Sequence, residues 1–306
     1  MKRPRITVVG SDMVDLITYI DRMPREGETI TAPSFDMGFG GKGANQSVAA
    51  ALLGAEVHMV CKVGDDLFGP NTKRNFESYG IDTRHVETVS GVSSGVAPIF
   101  VDPSSANRIL IIKGANDHLL PSDIDRAKET ILSSDIVIMQ LEIPLETVYY
   151  TLELCARGKI PTILNPAPAD PELDLERIRS ASIFAPNETE LHTITGMPVG
   201  NVEEAKAAAR HLLSKGIGSV IVTLGERGSL LLTADREYLC PAVKVESRDS
   251  TGAGDAFIGC FATYFVEGGD IEAAMQKANR YAALSTMRPG TQKSFLDRKA
   301  FEAAAL

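Results

Sequence analysis

Short apolar runs and longer amphipathic stretches alternate along this chain. The runs "RITVVG" (5–10), "EVHMVCKVG" (56–64), "DIVIMQLE" (135–142), "IPTILNPAP" (160–168), "ASIFAPN" (181–187) and "SVIVTLGERG" (219–228) carry apolar residues in succession. That pattern predicts strands buried on both faces. Between them, "GANQSVAAALLGA" (43–55), "LETVYYTLELCARG" (145–158) and "VEEAKAAARHLLSKG" (202–216) place apolar residues at helical spacing. From Ala253 onward the chain reads as further helices. Strands alternating with helices predict an α/β fold whose mostly parallel sheet is covered by helices. Two segments break the rhythm. Residues 14–38 and 94–112 read as extended hairpin material, the second turning at "DPSSAN" (102–107). Both are expected to form a small β lid on the α/β core. With no Pro/Ser-rich linker and no internal repeat, the expectation is a single domain over 1–306.

Composition narrows the class. The 306 residues are 44% hydrophobic and 23% charged, which fits a globular chain and argues against disorder. A net charge of -9 argues against nucleic acid or an anionic membrane surface as partner, because both need a basic footprint. No apolar run approaches the roughly 20 residues that span a bilayer. The start, "MKRPRITVVG", leads into a first strand rather than the apolar core of a signal peptide. A cytoplasmic protein is expected. Cys61, Cys155, Cys240 and Cys260 are far apart, so reduced, mostly buried thiols are expected. The histidines form no H-x-x-x-H pair, and zinc is not expected.

Two glycine-rich stretches carry the candidate chemistry. In "GFGGKGANQ" (38–46), Gly38, Gly40 and Gly43 formally satisfy G-x-G-x-x-G. The segment before it, "TITAPSFDM", is not a buried strand, so a dinucleotide site does not follow. Lys42 precedes Gly43 rather than Ser or Thr, which removes a Walker A loop. What remains is a flexible glycine run entering a helix, with one cation and one amide. A hinge and tight turn would use the same residues. The second stretch, "RDSTGAGDAF" (248–257), is a turn with small residues at 252–254 and Asp255 in the first turn of an apolar helix. Backbone N–H groups at such a terminus bind anions. A carboxylate beside them suits phosphoryl transfer: it takes the proton of an attacking hydroxyl while the amides stabilise the phosphate. A simple helix-dipole charge is the plainer reading of the same acid. In that positive field Asp255 is expected to be a weak base.

"GGKGANQ" and "DSTGAGDAF" resemble the two signatures of the ribokinase-like carbohydrate kinases, the phosphofructokinase-B family. "GD" at 64–65, "NPAP" at 165–168, "PNETE" at 186–190 and "TLGERG" at 223–228 follow in the family's order, so the resemblance spans essentially the whole chain. It implies a three-layer α/β/α fold with a β lid, and transfer of the ATP γ-phosphate to a sugar or nucleoside hydroxyl with Mg²⁺ and K⁺. It also implies a homodimer formed through the lids, which would cover their open edges and apolar face. By the same resemblance Asp255 is the base, and Gly252, Ala253 and Gly254 are the anion hole. Asp15, Gly41, Lys42, Asn45 and Glu142 would hold the sugar. Asn187 and Glu190 would organise Mg²⁺ and phosphate. Thr223, Gly225 and Gly228 would form the nucleotide strand and turn, with Asn279 at the adenine edge. Asp249, Thr251, Ser285, Arg288 and Gly290 are the candidates for the monovalent cation.

The residue types fit these roles. Asp15 and Glu142 offer acceptors, and Lys42 and Asn45 donors, as a small ring sugar requires. Asn187 also reads as a helix N-cap, with Glu190 completing a capping box. A non-catalytic sensor on the same fold would be expected to lack Asp255 or the GAGD turn, and both are present.

One position departs from the family pattern. At the end of the first strand that pattern has Gly-Ser, one residue, Asn, a small residue and Asp. Here "GSDMVD" (10–15) keeps Asp15 and puts Met13 where the asparagine stands. Methionine offers no donor and only a weak acceptor. A hydroxyl buried against it loses a partner, at about 1–3 kcal/mol. The expected substrate is therefore 2-deoxy-D-ribose, phosphorylated on its 5-hydroxyl, with weaker activity on ribose. If Met13 is only core filler, the substrate is D-ribose. Asp12 receives no role and is expected at the surface.

Overall fold

In the computed structural model, which describes residues 3–104 and 107–304, the apolar runs form the middle layer of a three-layer stack. Ser105 and Ala106, at the centre of the expected "DPSSAN" turn, lie outside the described residues. The strands are β1 (Arg5–Val9), β2 (Met13–Tyr19), β3 (Ser34–Gly40), β4 (Glu56–Gly64), β5 (Asp82–Val89), β6 (Val96–Val101), β7 (Asn107–Ile109), β8 (Ile136–Met139), β9 (Thr162–Leu164), β10 (Ile183–Phe184), β11 (Ser219–Thr223), β12 (Ser229–Thr233) and β13 (Glu237–Cys240). The helices are α1 (Lys42–Leu52), α2 (Phe68–Ser78), α3 (Pro121–Arg126), α4 (Lys128–Leu132), α5 (Leu145–Gly158), α6 (Glu188–Thr195), α7 (Val202–Ser214), α8 (Ala253–Gly268), α9 (Ile271–Ser285) and α10 (Arg298–Ala303).

The large sheet runs in the order β13-β12-β11-β10-β9-β8-β1-β4-β5. Every pairing from β11 through to β5 is parallel, and β12 and β13 add an antiparallel edge. Alternation divides each central strand between two cores. Ile6 and Val8 of β1 join one cluster and Val9 the other; Ile136 and Ile138 of β8 oppose Val137 and Met139. Helices α1, α2, α8, α9 and α10 supply the first cluster, and α3 to α7 the second. The expected three layers are present. The four cysteines are buried and free.

Some strand extents differ from the sequence reading. "SVIVTLGERG" is not one strand: β11 ends at Thr223, the chain turns at Gly225–Arg227, and β12 returns antiparallel. Gly228 makes this possible with a φ of +96°, packed so close that a Cβ would collide with the Cys240 carbonyl. "IPTILNPAP" shortens to β9 because Pro166 and Pro168 have no N–H to continue the ladder. Residues of the two segments that broke the rhythm form a second sheet, β3-β2-β6-β7. In its register Met13 lies opposite Gly40, and Asp15 opposite Gly38. Phe35 and Leu110, 61% and 60% exposed, stand with Met37 and Ile109 among its uncovered apolar side chains.

Strand order reverses between β1 and β8, since β4 and β5 extend one way and β8 to β11 the other. Such a switch point leaves a crevice beyond the strand C-termini. The polar residues of the sequence fall there: Ser11 and Asp12 after β1, Gln140 and Glu142 after β8, Asn165 after β9. Helix α8 closes the crevice by resting on α1. A Cβ added at Gly259 would lie 2.6 Å from the Gln46 carbonyl oxygen and 2.7 Å from Ala49 Cβ. Gly259→Ala is therefore expected to destabilise the fold by about 1–3 kcal/mol through overpacking. Urea unfolding measures this, and an unchanged midpoint would contradict the close approach.

Candidate active site

The glycine-rich loop is fastened to the switch point. Ser11 Oγ donates to Glu142 Oε2 at 2.5 Å, and the Lys42 backbone N–H donates to the same oxygen at 2.9 Å. The Ala44 N–H donates to the Ser11 carbonyl at 2.8 Å. Only glycine allows the loop this near. A Cβ at Gly43 would stand 2.7 Å from Ser11 N, and one at Gly40 would stand 2.5 Å from the Asp15 carboxylate. At Gly41, where φ is +87°, it would lie 2.7 Å from Asp12 Cα. Close packing thus accounts for these glycines without a hinge.

The loop carries Lys42 into a ring of acids. Burial opposes the Lys42 charge, yet Asp255, Glu142 and Glu190 together hold its pKa above the usual lysine value. Burial also pushes the Asp15 carboxyl up to about 7, with Glu142 and Asp255 adding to the rise. Glu190 rises to about 7 through burial, against hydrogen bonding to Asn187 and the charge of Lys42. Asp255 is 7% exposed, and burial raises its pKa despite Lys42, Asn45 and Gln46. Burial thus works against the weak base expected of the helix terminus. Asn45 Nδ2 donates to Asp255 Oδ2 at 3.0 Å, and Gln46 Nε2 to Oδ1 at 2.9 Å.

Asp255 stands at an uncapped terminus. Gly252, with φ +77°, starts α8, and no side chain caps it. The Ala253 N–H is drawn to the Ser250 carbonyl at 3.2 Å. The amides of Gly254 and Asp255 have no hydrogen-bond partner among the described residues. Nothing lies within 4 Å of where a Cβ on Gly254 would be, so the first turn is open at Gly254. A terminus of this kind takes an anion, and a carboxylate beside it takes a proton.

A profile of the pfkB family carbohydrate kinases matches residues 3–298. The chain belongs to that family. It is 55% identical to a deoxyribokinase of Salmonella typhimurium over 95% of each chain. It is 41% identical to a ribokinase of Bacillus subtilis, over 97% of this chain and 98% of that one. The structure of Arabidopsis thaliana ribokinase complexed with ribose and ATP superposes with a TM-score of 0.92 at 31% identity, covering 98% of both chains. The protein is a carbohydrate kinase, a phosphotransferase with an alcohol group as acceptor.

Other residues of the kinase are placed less simply. Asn187 and Glu190 form the capping box of α6: Glu190 N–H donates to Asn187 Oδ1, Asn187 N–H to Glu190 Oε2, and Asn187 Nδ2 to Glu190 Oε1, each at 2.8 Å. Glu190 also feels Lys42, so the cap aims its acid at the crevice. Thr223 pairs with Asn187 through a parallel bridge, which brings the turn at Gly225 and Gly228 beside α6. An Arg227–Glu188 ion pair joins the two. Asn279 spends its Nδ2 on the carbonyls of Cys240 and Pro241, at 3.1 and 3.2 Å. Asp249 accepts from the Thr251 and Gly290 amides at 2.9 and 2.8 Å, which joins three of the cation candidates. The Ser285 hydroxyl instead bonds the Ala282 carbonyl of its own helix, and Arg288 is exposed.

Sequence reasoning left out Gln46, which donates to Asp255, and Gln140 and Asn165, which hold Gln46. For Gln140 and Asn165 the signal was a polar residue directly after an apolar run, and for Gln46 its place at the end of the glycine-rich stretch. Asp12 needs correction: it is 1% exposed, not at the surface. The glycine loop covers it, and Asn116 grips its backbone from the other side, with Asp12 N donating to Asn116 Oδ1 at 3.1 Å and Asn116 Nδ2 to Asp12 O at 2.7 Å. Burial pushes its carboxyl up to about 7; the Cys61 thiol opposes the rise, and Asp66 and Glu142 add to it. Between its ordinary 3.8 and about 7, the folded chain keeps a proton that the unfolded chain has lost. Asp12 thus lowers stability as pH rises through that window, by up to about 1.4 kcal/mol per unit. Asp12→Asn should melt above wild type at pH near ~8 and level with it near ~4. A melting difference independent of pH would contradict this burial.

Proposed function

We propose that the kinase transfers the γ-phosphate of ATP to the 5-hydroxyl of 2-deoxy-D-ribose, with weaker activity on D-ribose. The observation that carries this reading is the position of Met13. Residues two apart on a strand share a face, so Met13 stands beside Asp15 on β2. Asp15 lies within the field of Glu142 and Asp255, and Met13 is 2% exposed. A sugar held by these acids meets a thioether that offers it no hydrogen bond. Hydrogen at that sugar carbon fits there better than hydroxyl. The 55% identity to a protein named deoxyribokinase supports the same substrate. The ribokinases among the relatives support the residual activity on ribose, and D-ribose itself as the second reading.

The residues divide the work. Asp15 and Glu142 accept from the sugar hydroxyls, and Lys42 and Asn45 donate to them. Asp255 takes the proton of the 5-hydroxyl as its oxygen bonds to the γ-phosphorus. The bond from that phosphorus to the β–γ bridging oxygen breaks, and ADP leaves. The Gly254 and Asp255 amides stabilise charge on the transferring group. ATP lies along Thr223, Gly225 and Gly228, toward Asn279. Glu190 keeps a second lone pair on each oxygen beyond the capping box, so with Asn187 it suits Mg²⁺ held through water. Bound there, Mg²⁺ would neutralise phosphate charge. Asp249 ties Thr251 to Gly290, and K⁺ would be held at this loop. The second sheet acts as a lid that excludes water. Its exposed Phe35, Met37, Ile109 and Leu110 support a homodimer through the lids. No described helix is long and apolar enough to cross a membrane, and a cytoplasmic location suits such a kinase.

The test is kinetic. Wild type is expected to show the higher kcat/KM on 2-deoxyribose. Met13→Asn should shift the ratio toward ribose by about tenfold, the equivalent of one hydroxyl's hydrogen bond. A ratio unchanged by the substitution overturns the role of Met13. Phosphorylation of nucleosides with neither free pentose accepted overturns the substrate class.

A further inference from the structure

We propose that Gln46 is a positioning residue for Asp255, locked by Gln140 and Asn165 so that it can present only an amide donor to the carboxylate. The proposal rests on the reading of Asp255 as the base. Gln46 is fully buried and all its amide functions are engaged. Its Nε2 donates to Asp255 Oδ1 at 2.9 Å and to Asn165 Oδ1 at 3.0 Å. Its Oε1 accepts from Gln140 Nε2 at 2.6 Å.

The direction of this chain is dictated at its far end. Asn165 Nδ2 donates at 2.9 Å to the Ala185 carbonyl, which can only accept. Asn165 Oδ1 must therefore face Gln46, and Gln46 must answer with its NH₂ group. A flipped Gln46 would set oxygen against Asn165 Oδ1 and against Asp255, and nitrogen against the Gln140 donor. Gln140 holds this arrangement although its own Oε1 is buried without a hydrogen-bond partner. Buried amides are ordinarily satisfied, so an orphaned oxygen marks a constraint from elsewhere. Gly10 makes room for Gln140 there, because a side chain at Gly10 would collide with its Oε1. The Asn45 arm is braced in the same manner: Gln292 Nε2 donates to Asn45 Oδ1 at 3.1 Å.

The consequence concerns ionisation. Asp255 must be charged to accept a proton, and it faces Lys42 from α1, Asp15 from β2, Glu142 beyond β8 and Glu190 from α6. Burial and the acids favour its neutral form, while Lys42 and the two amide donors favour the anion. Losing the Gln46 donor leaves fewer enzyme molecules with an ionised base at low pH. One donor at each oxygen also fixes the carboxylate plane.

The test is the pH profile of kcat. Gln46→Met keeps the volume and removes the amide. Its acid limb should move up by about one unit. Gln140→Met, which touches neither substrate nor Asp255, should move the limb the same way by less, because Gln46 is then free to turn. If Gln46→Met fails to fold in a thermal melt, Gln140→Met carries the same readout. Asp255→Asn is the control for the underlying reading and should lose turnover by orders of magnitude. Near-normal turnover of Asp255→Asn removes the base and with it the proposal. An inactive Asp255→Asn beside wild-type acid limbs in both glutamine variants leaves the base standing and overturns the positioning role.

Discussion

The ammonium group of Lys42 lies within the field of Asp255, Glu142 and Glu190, and it opposes the burial that drives Asp255 and Glu190 toward their neutral forms. The carboxylates arrive from α8, from the end of β8 and from α6, and Asp15 joins them from the second sheet. Acids gathered away from water repel one another and favour protonation. One cation among them lowers that penalty and leaves the cluster ionisable. Without it burial would favour the neutral form of Asp255, which cannot take up a proton.

The fold brings that cation and those acids together through a few close approaches. Reversal of strand order between β1 and β8 opens the crevice. The Ser11–Glu142 hydrogen bond joins the two strand ends across it. Glycines let the loop before α1 lie on β1, and Gly259 lets α8 lie on α1. These contacts set where Lys42 and Asp255 stand. The amides of Gly254 and Asp255 are left without a hydrogen-bond partner among the described residues. The geometry of the crevice is thus a product of backbone packing more than of individual side chains.

Much of this was readable in the sequence. Unbroken apolar runs predicted strands buried on both faces, and the layers formed as expected because nothing else could cover such strands. The two glycine signatures located Lys42 and Asp255. What escaped was decided by tertiary burial. Asp12 reads as a surface acid until the glycine loop is seen to cover it. The helix dipole alone suggested a weak base at Asp255, while its burial, which no local pattern reports, pushes the other way. Gln46, Gln140 and Asn165 looked like ordinary polar residues beside motifs, since their meaning lies in hydrogen bonds across 94 to 209 positions of chain. Asn187 and Glu190 were legible twice over, and the capping box and the approach to Lys42 turn out to be compatible. The antiparallel edge of β12 and β13 was missed because a three-residue turn interrupts an apolar run without changing its composition.

The central claim is that Lys42 keeps Asp255, the proposed base, ionisable within its ring of acids. Carboxyl-carbon NMR titration tests it directly, with the Asp255 resonance assigned by its loss in Asp255→Asn. The account predicts that Asp255 titrates above the ordinary aspartate range in the wild-type kinase and higher still in Lys42→Met. The same titration midpoint in both proteins would contradict it.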